Sequence, residues 1–154
     1  MKELIRNELN FPIPEGFTVL SQEELAAYQS IIPPEWGIRN TEKHIIIVAA
    51  SRRIPLLGRL VSLKDAIRKL DENLAKLMAA YDYQTIGFEN CDLGGITGEQ
   101  LFYTYTAQNT AMAGTSIIVR HDKNIWYIHA YFHQEDSAEN KELLKEIGKE
   151  MTWQ

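Results

Sequence analysis

Residues 115–132 have the sequence TSIIVRHDKNIWYIHAYF, which predicts a β-hairpin. Two runs rich in β-branched and aromatic residues flank a polar turn at Asp122–Asn124, where loops of two or three residues both fit. The second run alternates strictly, so successive side chains point to opposite faces of a sheet. The face expected to anchor the core carries Trp126, Ile128, Ala130 and Phe132. The opposite face, called the Tyr/His face below, carries Tyr127, His129, Tyr131 and His133.

Two further strands are predicted before this hairpin, over about Thr85–Cys91 and Glu99–Gln108. A glycine-containing turn at Asp92–Gly95 separates them, and the small residues of Asn109–Gly114 predict a loop after them. Because strands joined by short turns must pair antiparallel, these four strands predict an antiparallel sheet. A β-branched run over His44–Ala50 predicts one more strand, which we expect to be buried.

The N-terminal part of the chain contains more breaks than regular elements. The segment Leu9–Val19, with a turn at Pro14–Gly16, predicts an extended edge segment. A capping box at Ser21–Glu24 predicts a short helix that ends before Pro33–Pro34. Trp36 and Gly37 then predict the start of a loop.

Two longer amphipathic helices are predicted, one from Ser62 to about Ala80 and one after Asp136 or Ser137. Because three amphipathic helices need a sheet to cover, the sequence predicts an α+β fold. In this fold an antiparallel β-sheet is flanked by helices, as in an α/β/α sandwich. The inward face of the longest helix is predicted to carry Leu63, Ile67, Leu70, Leu74, Leu77, Met78 and Tyr81. The inward face of the last helix is predicted to carry Leu143, Leu144, Ile147 and Met151.

The composition is that of one soluble globular domain. The 154 residues are 45% hydrophobic and 24% charged, and no repeat or linker interrupts them, so residues 1–154 are predicted to form a single domain. A net charge of −5 argues against a nucleic-acid partner. No run approaches the roughly 20 apolar residues of a membrane span, and the charged N-terminus lacks a signal-peptide pattern. Cys91 is the only cysteine, which excludes an intramolecular disulfide. Together these features predict a cytoplasmic location.

A local basic segment contrasts with the acidic chain. Six of the 16 lysines and arginines lie within residues 51–69, together with a single acidic residue. In this segment, Arg52 and Arg53 are followed closely by Leu56 and Leu57. This mixture of cations and apolar side chains suits docking to an acidic protein surface or an anionic membrane interface. The alternative is a solvated basic connection whose leucines pack under the longest helix.

The Tyr/His face is the densest group of chemically capable side chains in the sequence. Tyr103 and Tyr105 from the preceding strand can join it to line a ligand pocket, because neutral His and Tyr form hydrogen bonds near neutral pH. The alternative is ordinary packing of amphipathic rings beneath a helix. His129 and His133 cannot share a metal ion, because four residues of strand span about 13 Å and zinc–nitrogen bonds measure about 2.0–2.1 Å. We therefore predict neither a metal site nor a cofactor.

Four features of the sequence resemble the PsbP/Mog-like fold superfamily, which includes PsbP, the Ran-binding Mog protein and the DcrB-like bacterial proteins. They are FPIPEGF at residues 11–17, a central amphipathic helix, a Gly-Gly hairpin leading into FYTYTAQ at 102–108, and a terminal strand IWYIHAYF at 125–132 followed by a helix and Trp153. The resemblance implies an antiparallel sheet between helical layers and a role in binding a partner or assembling a complex. The sequence has no leader, no lipoprotein cysteine and no matching Ran-binding motif, so no functional residue is transferred.

The sequence thus predicts a non-enzymatic binding or assembly protein that acts through protein–protein contacts. No set of nucleophile, base and oxyanion-binding groups is visible, so no reaction is assigned. The alternative is a small-molecule-binding domain, or a weak acid/base enzyme, that uses the Tyr/His face. The sequence identifies neither the protein partner nor the oligomeric state.

Overall fold

The computed structural model describes residues 1–28, 32–55 and 61–154. Within these residues the largest element is a seven-stranded sheet in which every neighbouring pair of strands is antiparallel. The antiparallel sheet predicted from the sequence is therefore confirmed. In spatial order its strands are β3 (Thr18–Val19), β4 (Trp36–Asn40), β5 (Ile45–Arg53), β9 (Asn124–His133), β8 (Thr110–His121), β7 (Ile96–Ala107) and β6 (Gln84–Leu93).

A second, three-stranded sheet joins the two ends of the chain. Its order is β1 (Lys2–Ile5), β2 (Leu9–Pro12) and β10 (Thr152–Trp153), again with antiparallel pairing. The sequence predicted an extended edge segment for this region, but not a separate sheet. The pairing between residues at opposite ends of the chain has no local sequence signal, which explains the omission.

Helices cover both faces of the large sheet, as the predicted α/β/α arrangement requires. They are α1 (Gln22–Ala26), α2 (Leu63–Leu77) and α3 (Ser137–Glu150). Short 3₁₀ turns follow α2 at Ala79–Tyr81 and precede α3 at Gln134–Asp136. The predicted caps are present at the first two helices: Ser21 and Glu24 form a capping box, and Ser62 Oγ accepts a hydrogen bond from the Asp65 amide at 3.1 Å.

The apolar face of β9 lies in the main hydrophobic core, as predicted. Trp126, Ile128, Ala130 and Phe132 are all buried, and they pack with residues of α3 and of the small sheet. The opposite side of the large sheet packs against the Ile67, Leu70 and Leu74 side of α2. The strict alternation of β9 therefore separates two cores, and α2 covers the side that carries the Tyr/His face.

A buried carboxylate ties the small sheet to the large one. Glu8 accepts hydrogen bonds from Trp126 Nε1 at 2.9 Å and Asn124 Nδ2 at 2.6 Å, and His121 Nδ1 lies 2.7 Å away. Burial raises the pKa of Glu8, but the hydrogen bonds from Trp126, His121 and Asn124 outweigh burial, so the pKa lies below its ordinary value. The indole ring of Trp153 stacks on His121 with ring centroids 4.6 Å apart.

The loop predicted at Asn109–Gly114 was wrong, because β8 begins at Thr110. Gln108 and Asn109 both have positive φ, 51° and 62°, and they complete a two-residue turn directly after β7. Such a turn reverses a strand without a longer loop. The small residues that follow are strand residues, and Gly114 among them pairs with Tyr103 on one side and Tyr131 on the other.

The loop predicted to start at Trp36 and Gly37 was also wrong, because both residues belong to β4. Trp36 pairs with Ala49 of β5, and its ring lies in the main core, 4.7 Å from the ring of Phe11. Pairing with an already buried strand and burial of a large ring outweigh the loop signal of Gly37.

The β8–β9 hairpin turns through two residues, Asp122 and Lys123.

Candidate ligand-binding cavity

A cavity of about 430 Å³ lies between α2 and the large sheet. We call it the α2 cavity. Its size is within the usual range for small-molecule sites, and most of its walls are apolar or aromatic, as in such sites. It is lined by Tyr28, Ile46, Leu70, Leu74, Leu77, Met78, Tyr81, Tyr103, Tyr105, Met112, His129 and Tyr131.

The register of three neighbouring strands makes room for the Tyr103 ring on the face of the sheet that α2 covers. Gly114 of β8 pairs with Tyr103 of β7 on one side and with Tyr131 of β9 on the other. Cross-strand partners share a face, so the glycine lies between two large rings. A Cβ at Gly114 would lie 2.5 Å from Tyr103 Cε2 and 2.6 Å from its hydroxyl oxygen. The Tyr103 ring therefore occupies space that only a glycine leaves open.

The rim of the cavity differs from its interior. Leu70 and Leu74 are buried, whereas Leu77 is 59% exposed and Tyr81 is 52% exposed, although both line the cavity. The helical pattern predicted all four to face inward. The two exposed side chains leave an apolar opening at the C-terminal end of α2, through which an apolar ligand can enter.

His129 contributes a neutral hydrogen-bonding group to the cavity wall. Its Nδ1 lies 2.7 Å from Ser116 Oγ, and its Nε2 has no hydrogen-bond partner among the described residues. Burial lowers the pKa of His129 to about 4, because the imidazolium ion loses its hydration inside the protein. At neutral pH the ring is uncharged, and Nε2 can donate or accept one hydrogen bond according to its tautomer.

Three tyrosines of the cavity, Tyr103, Tyr105 and Tyr131, also stay uncharged at neutral pH. Burial raises the pKa of Tyr105 to about 12, and burial is the main cause that raises the pKa values of Tyr103 and Tyr131 as well. The Tyr103 hydroxyl is buried and makes no hydrogen bond of normal geometry within the described part of the chain. The hydroxyls of Ser116 and Tyr131 are nonetheless near enough to interact with it electrostatically.

Four of the six side chains predicted to bind a ligand line the α2 cavity, and two do not. Tyr103, Tyr105, His129 and Tyr131 belong to its lining. Tyr127 packs in the same apolar cluster as α2 but outside the lining. His133, at the end of β9, stacks instead on His44, with ring centroids 4.4 Å apart and an angle of 11° between the planes.

The sequence did not identify the remaining cavity residues as binding residues. Tyr28 follows α1 in the chain, Ile46 lies on β5, and Met112 lies in the segment predicted as a loop. None of them has a local pattern that distinguishes a cavity wall from packing. For the α2 residues, the helical period indicated the correct face but not the empty space beneath it.

A second concave surface lies between β6 and α3. It has a volume of about 440 Å³ and contains side chains of both charges, among them Asp92, Lys141 and Lys145, together with Cys91. Burial raises the pKa of Cys91 to about 12, so the thiol is protonated at neutral pH and a poor nucleophile. This groove therefore contains no activated cysteine nucleophile.

The residues predicted to dock a partner are only partly described. Arg52 and Arg53 end β5, and both are exposed. Neither forms an ion pair with a carboxylate among the described residues. Leu56 and Leu57, the apolar half of the predicted docking segment, lie outside the described residues.

Solved structures resemble this protein, whereas the family models and curated proteins compared with its sequence do not. No protein-family model matches the chain, and no curated protein sequence matches it. The solution structure of cyanobacterial PsbP (CyanoP) from Synechocystis sp. PCC 6803 has a TM-score of 0.74 at 12% identity, covering 100% of this chain and 92% of that one. The Ran-binding protein Mog1p of Saccharomyces cerevisiae has a TM-score of 0.63 at 10% identity, covering 98% and 93%. The chain has the PsbP/Mog-like fold.

A third structure extends the PsbP/Mog-like fold to another kind of protein. LpqN, involved in cell envelope biogenesis of Mycobacterium tuberculosis, has a TM-score of 0.67 at 15% identity, covering 94% of this chain and 82% of that one. Identities of 10–15% establish the fold alone. The resemblance seen in the sequence is thereby confirmed for the fold, and the function needs its own argument.

None of the helices described here combines the length and the apolar character needed to cross a bilayer.

Proposed function

We propose that the protein is a non-enzymatic binding protein and that the α2 cavity is its binding site. The ligand is a neutral, mainly apolar small molecule with at least one hydrogen-bonding group. The observation that carries this proposal is a cavity of about 430 Å³ with apolar walls and an uncharged His129 whose Nε2 is free to bind a ligand.

The charge of the lining limits the class of ligand. No Asp, Glu, Lys or Arg belongs to the described lining of the α2 cavity. The pKa of His129 is lowered to about 4, and the pKa values of Tyr103, Tyr105 and Tyr131 are raised above their ordinary value. A charged group that enters the cavity would lose its hydration without gaining a counter-ion, which is costly. The site therefore favours neutral molecules over anions and cations.

The hydrogen-bonding groups suit binding better than catalysis. Ser116 and His129 form a Ser–His pair at 2.7 Å, but Ser116 is fully buried and does not belong to the cavity lining. A nucleophile must reach the substrate, and a general base works best with a pKa near the working pH. Ser116 fails the first condition and His129, at about pH 4, fails the second. The pair instead fixes the orientation of the His129 ring.

Two dyes with the same ring system test the proposal. N-phenylnaphthylamine is neutral, and anilinonaphthalene sulfonate adds one anionic group to a similar skeleton. We expect the neutral dye to bind at least about tenfold more tightly, a difference of about 1.4 kcal/mol, when fluorescence is titrated at pH 7. Equal affinity for the two dyes, or no saturable binding of the neutral dye, would contradict the proposal.

A variant at the rim of the α2 cavity tests whether the neutral dye binds there. Leu77→Trp adds bulk at the opening, where Leu77 is exposed and tolerant of change. We expect it to weaken binding of the neutral dye at least about tenfold. Lys76→Trp is the matched control, because Lys76 is the preceding residue of α2 and is exposed outside the lining. If both variants bind the dye like the wild type, the binding site lies elsewhere.

A second candidate function is docking of a protein partner, the function that the sequence predicted first. Two neighbouring exposed cations at Arg52 and Arg53, without ion pairs among the described residues, favour it. One structure with the same fold is a Ran-binding protein. The double variant Arg52→Glu/Arg53→Glu should remove partners that the wild type captures from its own cell extract. An unchanged set of captured proteins would exclude docking through this segment.

The location and the domain organisation belong to the same proposal. We place the protein in the cytoplasm, in agreement with its composition. Residues 1–154 are proposed to form one domain, because residues of both sheets share one hydrophobic core. Cell fractionation tests the first point, and a single unfolding transition followed by two different probes tests the second.

A further inference from the structure

We propose that His44, His133 and Asp136 form a site for one divalent transition-metal ion such as Zn²⁺. Each of the three offers one ligand atom, and these atoms all lie within 4.8 Å of one another. We call them the His–His–Asp cluster. The cluster lies outside the lining of the α2 cavity, so this proposal is independent of the proposed function.

The sheet register brings the two histidines together. Ile45 of β5 pairs with Phe132 of β9. His44 is the turn residue directly before β5, and His133 is the last residue of β9. Their rings stack with centroids 4.4 Å apart. The sequence excluded a metal shared by His129 and His133 on one strand, and that geometric argument does not apply to two adjacent strands. His44 and His133 are far apart in the chain, so no local spacing indicates the pair.

Asp136 completes the cluster with a carboxylate that does not cap α3. It is the last residue of the 3₁₀ turn that runs directly into α3, and its side chain makes no capping hydrogen bond. Its carboxylate therefore has no backbone amide of α3 as a partner, while one of its oxygens lies near the two imidazoles.

The donor set determines the class of ion. Two imidazole nitrogens and one carboxylate oxygen suit zinc and neighbouring transition metals, whereas calcium and magnesium prefer oxygen ligands alone. Ligand atoms around a tetrahedral zinc lie about 3.4 Å apart, so the cluster must contract by about 1.4 Å at most. A metal ion also lies in the plane of each imidazole that binds it, so the two rings must turn out of their stacked arrangement to share one ion. His44 is exposed and His133 and Asp136 are half-buried, so rotation of these side chains can supply that movement.

The surroundings support the same assignment. Glu135 Oε1 lies 3.9 Å from His133 Nδ1, so a second carboxylate lies beside the cluster. Lys43 is the nearest cation in sequence, and its ammonium group is paired with Glu139 at 3.7 Å. A fourth coordination position remains for water, as in zinc sites with three protein ligands.

Calorimetric titration of the untagged 154-residue protein with zinc chloride tests the site. We expect one zinc ion per chain, and no comparable binding of calcium. His44→Ala, His133→Ala and Asp136→Asn should each weaken zinc binding at least about tenfold. Glu42→Ala, in the same exposed turn as His44 but outside the cluster, should leave it unchanged.

A second measurement separates loss of the site from loss of the fold. In the wild-type protein, NMR signals of the His44 and His133 rings should shift during zinc titration, while those of the buried His129 and of His121 stay in place. The proposal is overturned if zinc binds no better than calcium. It is equally overturned if the double variant His44→Ala/His133→Ala binds zinc like the wild type, or if the signals of His121 or His129 respond instead.

Discussion

At the scale of single residues, His129 shows how burial sets the chemistry of the candidate site. Its ring is held by Ser116 on one side and lines the α2 cavity. Burial lowers its pKa to about 4, against an ordinary value of 6.5. Between about pH 4 and pH 6.5 His129 is therefore protonated in the unfolded chain but not in the folded protein. The free energy of unfolding consequently depends on pH through this residue.

The pH dependence gives a first prediction. Stability due to neutral His129 is complete above about pH 6.5 and is lost as the pH falls toward 4, because only the unfolded chain takes up the proton in this range. We expect the free energy of unfolding in urea to fall by about 2–3 kcal/mol between pH 7 and pH 4.5. In the variant His129→Gln this fall should largely disappear. An equal fall in both proteins would mean that other groups cause it.

Residues of the site could be predicted only where neighbours in sequence are neighbours in space. The alternation of β9 identified His129 and Tyr131, because both lie on one face of a single strand. The same argument could not find Tyr28 or Met112, which reach the cavity from other elements. It also could not find His44, whose partner His133 belongs to a strand that pairs with β5 only in the folded sheet.

At the scale of elements, the three strands β7, β8 and β9 depend on a glycine in the middle strand. Gly114 lies between its partners Tyr103 and Tyr131, and the Tyr103 ring occupies the place of a Cβ. The segment therefore combines small residues with a strand conformation. The small residues led to the prediction of a loop, because their own β-propensity is low. They belong to β8 because they pair with β7 on one side and β9 on the other.

Substitution of this glycine is a second prediction. Gly114→Ala places a methyl group 2.5 Å from Tyr103 Cε2, so the ring must move, and we expect a loss of about 1–3 kcal/mol in the free energy of unfolding. Gly87→Ala is the matched control, because a Cβ there has no atom within 4 Å. Thermal and urea unfolding of the two variants measure the difference. Equal stability of both variants would show that the Tyr103 ring can move aside without lowering the free energy of unfolding.

The helices and strands with a strong period were predictable, and so were the turns at Pro14–Gly16, Asp92–Gly95 and Asp122–Asn124, whereas the turn at Gln108–Asn109 was not. The period of α2 and the runs of β6, β7 and β9 indicated the correct elements, because each pattern extends over many residues. Gln108 and Asn109 form a tight turn without glycine, which residue type alone did not indicate. Trp36 was predicted as a loop residue but belongs to β4, because it pairs with the buried strand β5.

At the scale of the whole molecule, Glu8 connects the small sheet to the β8–β9 hairpin. Its carboxylate receives hydrogen bonds from Trp126 and Asn124 and lies beside His121. The main core contains residues of both sheets. Loss of the Glu8 contacts should therefore affect the stability of the entire chain and not only that of the N-terminal strands.

Neutralising this carboxylate is a third prediction. Glu8→Gln weakens charge-assisted hydrogen bonds, and we expect the free energy of unfolding at pH 7 to fall by about 1–3 kcal/mol. The pKa of Glu8 is lowered in the folded protein, so its contribution is present above about pH 4.5 and is lost as the pH falls through the folded value. The difference from wild type should thus shrink in acid. Glu15→Gln, at an exposed position, is the control.

The most direct test of the central claim is to locate a bound neutral ligand by methionine methyl NMR. The chain has four methionines, of which Met78 and Met112 line the α2 cavity. Met151 lies in the core under α3, and Met1 is exposed. During titration with N-phenylnaphthylamine, the methyl signals of Met78 and Met112 should shift with saturation, while those of Met1 and Met151 stay in place. A ligand that saturates the protein without moving Met78 or Met112 would contradict binding in the α2 cavity.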